Sequence, residues 1–305
     1  VPGSINEGGE LGYSLSHAYG AVLDNPNLIA ACIIGDGEAE TGPLSASWNI
    51  NKIINPKKDG VVLPVLHVNK YKIANPTVMG RMKDKELLSF FKGLGYKPYI
   101  VSGSDPRKMH EDMAYVMEKV ISDIKKIKLG KSFNYPLIIL KSPKGWGAPK
   151  KVHGKPVEDS FRAHQVPITI ETEEDLILLE KWLKSYKPEN LFDENGKLKD
   201  EIKEILPPFE KRMSASKYAN GGLLRKELKC PDFRDYKISV KPGKTTASDM
   251  LVLGNYIRDL ILLNKDNKNF RIFGPDEALS NKLNHVFEVT SKKWNYNTLK
   301  NDELL

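Results

Sequence analysis

Between residues 7 and 146, short continuous apolar runs alternate with segments of helical periodicity, and few architectures can absorb that pattern. Residues 10–23 (ELGYSLSHAYGAVL) suit a helix that follows Gly8-Gly9. Residues 28–34 (LIAACII) have the length and continuity of a buried strand. A helix is expected at about 42–54, and residues 61–68 (VVLPVLHV) are the next strand candidate, weakened by Pro64. A helix near 84–93 leads to a strand near 96–101. Asp105-Pro106 combines an N-cap with proline at the first helical position. The helix it opens carries Met109, Met113, Val116, Val120, Ile124 and Ile127 on one face. Residues 136–141 (PLIILK) read as another buried strand. Alternation of this kind predicts an α/β fold, a parallel sheet with helices on both faces.

The character changes beyond residue 190. Residues 190–246 are rich in Pro, Gly, Lys and Asp and read as a long connection with little regular structure. From 247, ASDMLVLGNYIRDLILLN is a clear amphipathic helix, and NFRIFGP is expected as a strand and turn. The predicted organisation is a first domain over 1–189, a linker over 190–246, and the beginning of a second α/β domain over 247–305. The chain has 305 residues and no initiator Met, and no signal peptide is expected because residue 1 opens directly into VPGSINEGGELG. It ends in a polar, helix-compatible stretch, so it reads as an internal piece of a longer protein.

No apolar run approaches the roughly 18 residues that span a bilayer. Cys32 and Cys230 match no metal or redox spacing, and Cys32 reads as a small core residue. A cytoplasmic location is therefore expected. The net charge of +8 raises nucleic acid as a partner. The lysines are scattered, however, and no aromatic-interleaved basic segment accompanies them, which argues against it. A solvated lysine-rich surface, or attraction of phosphorylated metabolites, accounts for the charge.

Ligands of parallel sheets bind beyond the carboxyl ends of the strands. The four strand candidates end at Gly35-Asp36-Gly37, at Asn69, at Ser102-Gly103-Ser104-Asp105 and at Ser142-Pro143-Lys144-Gly145-Trp146. Asp36 and Asn69 supply hard oxygen ligands of the kind Mg²⁺ prefers, and that ion shares its shell with ligand phosphates. Gly35 and Gly37 permit close approach of a phosphate. The helix after Gly42 offers free N–H groups nearby. A magnesium-bridged diphosphate fits this edge, although Asp-Gly alone is an ordinary turn.

Gly35-Asp36-Gly37, with Asn69 33 residues after the Asp, resembles the thiamine-diphosphate signature of the transketolase superfamily. The segments PGSINEGGELGYSLSHAYGAV, GDGEAETGPL, NKYKIANPT, SPKGW, FRAHQVP, ANGGLL, PDFRDY and FGPDEALSN resemble phosphoketolase, in the same order and over essentially the whole chain. The resemblance implies the thiamine-diphosphate-binding fold. Residues 1–189 would be an incomplete diphosphate-binding domain, and 247–305 the start of the pyrimidine-binding domain. It implies Mg²⁺ held by Asp36, Asn69 and the backbone carbonyl of Tyr71. Gly8 and the backbone at Gly37 and Glu38 would lie against the cofactor diphosphate. Lys144 and His164 match polar active-site residues, and Ser280 part of a substrate-phosphate site. Lys282 stands where the family usually has Arg, which keeps the charge and loses the bidentate fork. The family's activating Glu is not among these residues, so the chain alone is expected to be inactive. A homodimer or larger homo-oligomer is implied for the full-length protein.

The implied reaction is phosphorolytic cleavage of xylulose 5-phosphate, with fructose 6-phosphate as a second substrate, to acetyl phosphate and an aldose phosphate. His164 would donate a proton to the departing hydroxyl and Lys144 would stabilise negative charge. Transketolase-like ketol transfer and a non-catalytic cofactor-binding module are the competing readings. Plainer roles also stand beside the site residues. His164 and Lys144 would then be surface groups and His67 a packed structural histidine, while Trp146 is expected to fill core, with closure over the site as its other role. Glu38 and Glu40 would be loop carboxylates. His17 is open either way, and His110, His153 and His285 carry no signal.

Overall fold

The computed structural model describes residues 9–164, 167–217, 226–274, 276–292 and 298–302. Each apolar run of the first part forms a strand. They are β1 (Ile29–Gly35), β2 (Val61–Val68), β3 (Tyr96–Ser102) and β4 (Tyr135–Lys141). All pair in parallel, in the order β1-β2-β4-β3. The helices before and between them are α1 (Ser14–Val22), α2 (Asp36–Ala39), α3 (Gly42–Ser47), α4 (Asp84–Gly93) and α5 (Pro106–Lys128).

Register decides which side chains share a face, because parallel partners point the same way. Tyr96 lies on one face. Its hydroxyl donates to the Trp48 carbonyl at 3.0 Å and meets Tyr19 of α1 at 2.9 Å. Phe91 of α4 packs edge-on against the Trp48 ring, centroids 5.0 Å apart. Tyr99 lies on the other face and donates to Asp123 of α5 at 2.5 Å. Helices therefore cover both faces, as the alternation requires.

Four local expectations are corrected. The helix expected at 42–54 is α3 followed by a 3₁₀ turn over Trp48–Lys52, which puts the Trp48 ring into the core. Pro64 sits within β2 after all. Pairing with β4 begins only at Val65, so the missing N–H falls where β2 has a single ladder. β1 is buried on one face only. Ala30, Cys32 and Ile34 point inward, whereas Ile33 is 73% exposed. β1 is an edge strand, and α5 lies over β3 and β4 instead. Burial pushes the Cys32 thiol up to about 11. Residues 269–274 form no strand, and no strand ladder among the described residues includes them.

The strand ends are followed by a small antiparallel hairpin, β5 (Lys151–Val152) and β6 (Lys155–Pro156), and by α6 (Glu173–Ser185). The hairpin turn presents His153, in left-handed backbone at φ 46°, to Asp175 at 2.6 Å. Asp175 also closes a capping box with Thr172. Its bonds to His153 and Thr172 hold the carboxyl down to about 2, and the carboxylate raises the imidazole above its ordinary 6.5. The charged pair therefore contributes fully between pH 3.8 and 6.5, the two groups' ordinary values. It is lost as pH rises through the raised imidazole value, and as pH falls toward about 2. The protection of α6 amides from hydrogen exchange, taken relative to the intrinsic base-catalysed rate, is expected to fall above that upper limb, and His153→Ala to abolish that dependence. A pH-dependence that survives the substitution would assign it elsewhere.

The chain divides into two compact units, Val1–Asn220 and Gly221–Leu305. The division falls inside the 190–246 stretch, where α7 (Asp200–Glu204) and short 3₁₀ turns are the regular elements described. In the second unit, α8 (Asp249–Asn264) covers the helix expected from its periodicity. Arg258 of α8 pairs with Asp259 at 2.7 Å and with Glu288 at 3.1 Å, and Tyr236 donates to Asp259 at 2.5 Å. No described helix is long and apolar enough to cross a membrane.

Candidate functional site

Because all four strands run the same way, their carboxyl ends share one edge of the sheet. β1 runs directly into Asp36, the first residue of α2, which is 1% exposed. A carboxylate that deep requires partners. Oδ2 accepts from the Lys70 N–H and from the Thr77 hydroxyl, each at 2.8 Å. Both donors belong to the segment that follows β2. Lys70 reaches Asp36 in left-handed backbone at φ 77°, a strain on the order of 1 kcal/mol that the charge-assisted bond offsets.

Asn69 ends the same strand. Its Oδ1 accepts from the Tyr71 N–H at 3.1 Å, which leaves a second lone pair on that oxygen. A Cβ on Gly35 would meet nothing within 4 Å, and one on Gly37 only the Lys72 side chain at 3.4 Å. The space beside the turn is open. Glu38 faces the opposite way. It is buried, and its Oε1 receives the Gly12 N–H at 3.0 Å and the Ser14 hydroxyl at 2.7 Å, which fixes the start of α1. Glu40 accepts from the Met79 N–H at 2.8 Å and pairs with Lys72 at 2.9 Å. The side chains of both glutamates are thus structural.

β4 carries the other half of the edge. His67 of β2 meets the Ser142 hydroxyl at 2.7 Å, and burial lowers its pKa. Lys144 is buried, and burial lowers its pKa too, while nearby Asp36 opposes the shift. Its ammonium donates to the Tyr71 carbonyl at 3.0 Å and the Lys72 carbonyl at 2.8 Å, and lies 3.4 Å from His164 Nδ1. Three donors thus have three acceptors. An ammonium cannot accept, so in this pairing Nδ1 is the acceptor and the neutral ring carries its proton on Nε2. The loop needs Gly145, at φ 64°, because a Cβ there would stand 2.3 Å from Ala163, beside His164. Trp146, expected in the core, is 41% exposed and donates to the Ser104 carbonyl at 2.9 Å. His17 is exposed on α1.

The structure therefore brings Asp36, Asn69, Tyr71, Lys144 and His164 into one hydrogen-bonded edge. Ser280 and Lys282 belong to the second unit, where both are exposed. The Ser280 hydroxyl donates to the Glu277 carbonyl at 3.1 Å, and Lys282 has φ 58°. Gly8 and the ANGGLL segment lie outside the described residues. Sequence reasoning missed Thr77, which is 41 positions from Asp36 in the chain and has no spacing signal. It also missed the hold of Lys144 on the Tyr71 and Lys72 carbonyls.

The donor set is an aspartate carboxylate, an asparagine amide oxygen and a backbone carbonyl. Among the described residues no cluster of three or more His, Cys, Asp and Glu could hold a metal. A cation held at Asp36 and Asn69 would complete its shell with backbone, water or ligand oxygens, which suits Mg²⁺. The open space beside Gly35 admits a phosphate there. The residues fit a magnesium-bridged diphosphate.

A family model described as the XFP N-terminal domain matches residues 1–224. A second, described as D-xylulose 5-phosphate/D-fructose 6-phosphate phosphoketolase, matches residues 251–305. A probable phosphoketolase of Clostridium acetobutylicum is 56% identical over 304 residues, covering 96% of this chain and 38% of the relative. A probable phosphoketolase 2 of Nostoc sp. is 52% identical over 315 residues, covering 100% of this chain and 40% of the relative. The chain thus spans about two fifths of the length of these relatives. Among solved structures, a transketolase mutant from Pichia stipitis aligns with a TM-score of 0.48 at 15% identity, over 90% of this chain and 40% of that one.

Proposed function

The chain belongs to the phosphoketolase family, and from that premise we propose that it supplies the diphosphate- and metal-binding part of a thiamine-diphosphate-dependent carbon–carbon lyase. The observation that supports this most is the buried Asp36 at the end of β1, beside Asn69 at the end of β2, with open space at Gly35. Asp36, Asn69 and the Tyr71 carbonyl would hold Mg²⁺. The backbone at Gly35, Gly37 and Glu38, together with Gly8, would receive the diphosphate. When bound, thiamine diphosphate supplies a nucleophilic carbon and an electron sink, which the protein itself lacks.

The remaining roles fall to this chain's side chains. Lys144 would bring a positive charge toward the oxygen on which negative charge develops, one of its N–H groups leaving its present acceptor to do so. His164, 3.4 Å from that ammonium, would hand a proton to the departing hydroxyl once its ring is protonated. Ser280 and Lys282 would take the phosphate of the sugar. The proposed substrates are xylulose 5-phosphate or fructose 6-phosphate with inorganic phosphate, and the proposed products are acetyl phosphate and an aldose phosphate. A homo-oligomer and a cytoplasmic setting belong to the same proposal.

The test is a hydroxamate assay for acetyl phosphate on the full-length protein, given xylulose 5-phosphate, phosphate, Mg²⁺ and thiamine diphosphate. Acetyl phosphate is the expected product. A longer sugar formed from an added aldose, with no acetyl phosphate, would support ketol transfer and overturn the proposal. The 305-residue chain alone is expected to give no turnover in that assay, and measurable lyase activity from it would contradict the division of labour proposed here.

A further inference from the structure

Thr77 lies between β2 and α4, is 1% exposed, and has its hydroxyl fully engaged. Oγ1 accepts the Gly80 N–H at 3.0 Å and stands 2.8 Å from Asp36 Oδ2. A carboxylate only accepts, so the one hydroxyl proton points at Asp36. The chain Gly80 N–H to Thr77 O–H to Asp36 therefore runs in a single direction, each bond polarising the next. Gly80 is needed for it. A Cβ there would stand 2.5 Å from both Thr77 Oγ1 and the Lys70 Cα.

The Lys70 N–H fills the same Oδ2. Two donors on one oxygen set the rotation of the planar carboxylate, and no hydrogen bond among the described residues falls on Oδ1. We propose that Thr77 is a positioning residue for Asp36: its hydroxyl, backed by Gly80, occupies Oδ2 and so presents Oδ1 as the oxygen that coordinates the divalent cation. This rests on the reading of Asp36 as a Mg²⁺ ligand. Partners that orient a ligand in this way govern metal affinity as the ligand itself does.

The experiment is calorimetric titration of Mg²⁺ into full-length protein saturated with thiamine diphosphate, alongside the thermal midpoint of the cofactor-free protein. Thr77→Val keeps the shape and removes the hydroxyl, and it is expected to weaken Mg²⁺ binding by roughly 10–100-fold. Thr77→Ser keeps the hydroxyl and is expected to stay close to wild type. If Thr77→Val fails to fold, Thr77→Cys, of similar bulk with a weak donor, replaces it and is expected to fall between the two. Equal Mg²⁺ affinity in Thr77→Val and wild type would overturn the positioning role while leaving the site reading intact. So would Thr77→Ser falling as far as Thr77→Val, which would assign the effect to packing. Wild type that binds no Mg²⁺ with the cofactor would overturn the site reading, and this inference with it.

Discussion

Asp36→Asn is expected to abolish the Mg²⁺-dependent stabilisation of the full-length protein by thiamine diphosphate. The substitution keeps the shape and one oxygen acceptor, so Lys70 and Thr77 retain a partner. What it removes is the negative charge and, with the amide oxygen held by those two donors, the second oxygen that would face the cation. A loss of roughly 100-fold or more in metal affinity follows, at least the effect of disturbing an orienting partner. Ligand at about 100 times its Kd stabilises a fold by about 2.7 kcal/mol, so the wild-type thermal midpoint should rise by several degrees on loading. Asp36→Asn should show none of that rise under the same conditions. Asp36→Ala separates the structural from the binding role. It leaves two buried donors without an acceptor and is expected to cost about 3 kcal/mol even without cofactor. A full thermal shift retained by Asp36→Asn would remove Asp36 from the metal site.

Trp48→Ala is expected to be the most damaging single change in the sheet's helical cover. The ring is 1% exposed and meets Phe91 and Tyr96 edge-on, at centroid distances of 5.0 and 5.7 Å. Its removal leaves a cavity between α4, β3 and the 3₁₀ turn, at a cost of about 3–5 kcal/mol. At roughly 2–4 °C per kcal/mol for a domain of this size, the thermal midpoint should fall by about 10 °C. Trp48→Phe should cost much less. The indole Nε1 is buried without a hydrogen-bond partner among the described residues, so replacing it removes an unsatisfied donor along with some volume. Equal losses in the two variants would show that the ring volume is not what holds this corner together.

Much of the architecture was legible because it is encoded by near neighbours. Four apolar runs became four parallel strands. Asp105 caps α5 through the Lys108 N–H at 2.8 Å, as the Asp-Pro pair indicated. α6 is equally legible from Thr172 and Asp175, which form a capping box at its start. Where the expectation failed, tertiary context overruled a local signal. Trp146 is apolar yet lies exposed in a loop tied to Ser104, and residues 269–274 have strand composition but join no ladder among the described residues.

By itself, the sequence determined the α/β class, the strand ends at which polar groups gather, and the Asp36–Asn69 pair. These follow from periodicity, caps and turns, each spanning a few residues. Only the tertiary structure decided which distant groups hydrogen-bond around that pair. Thr77 is 41 residues from Asp36, and Lys144 is 73 from the Tyr71 carbonyl it holds. Contacts at such separation are fixed by strand order and crossover direction. No local pattern marks them, because the free energy that selects them comes from burying the whole sheet and not from the residues that touch.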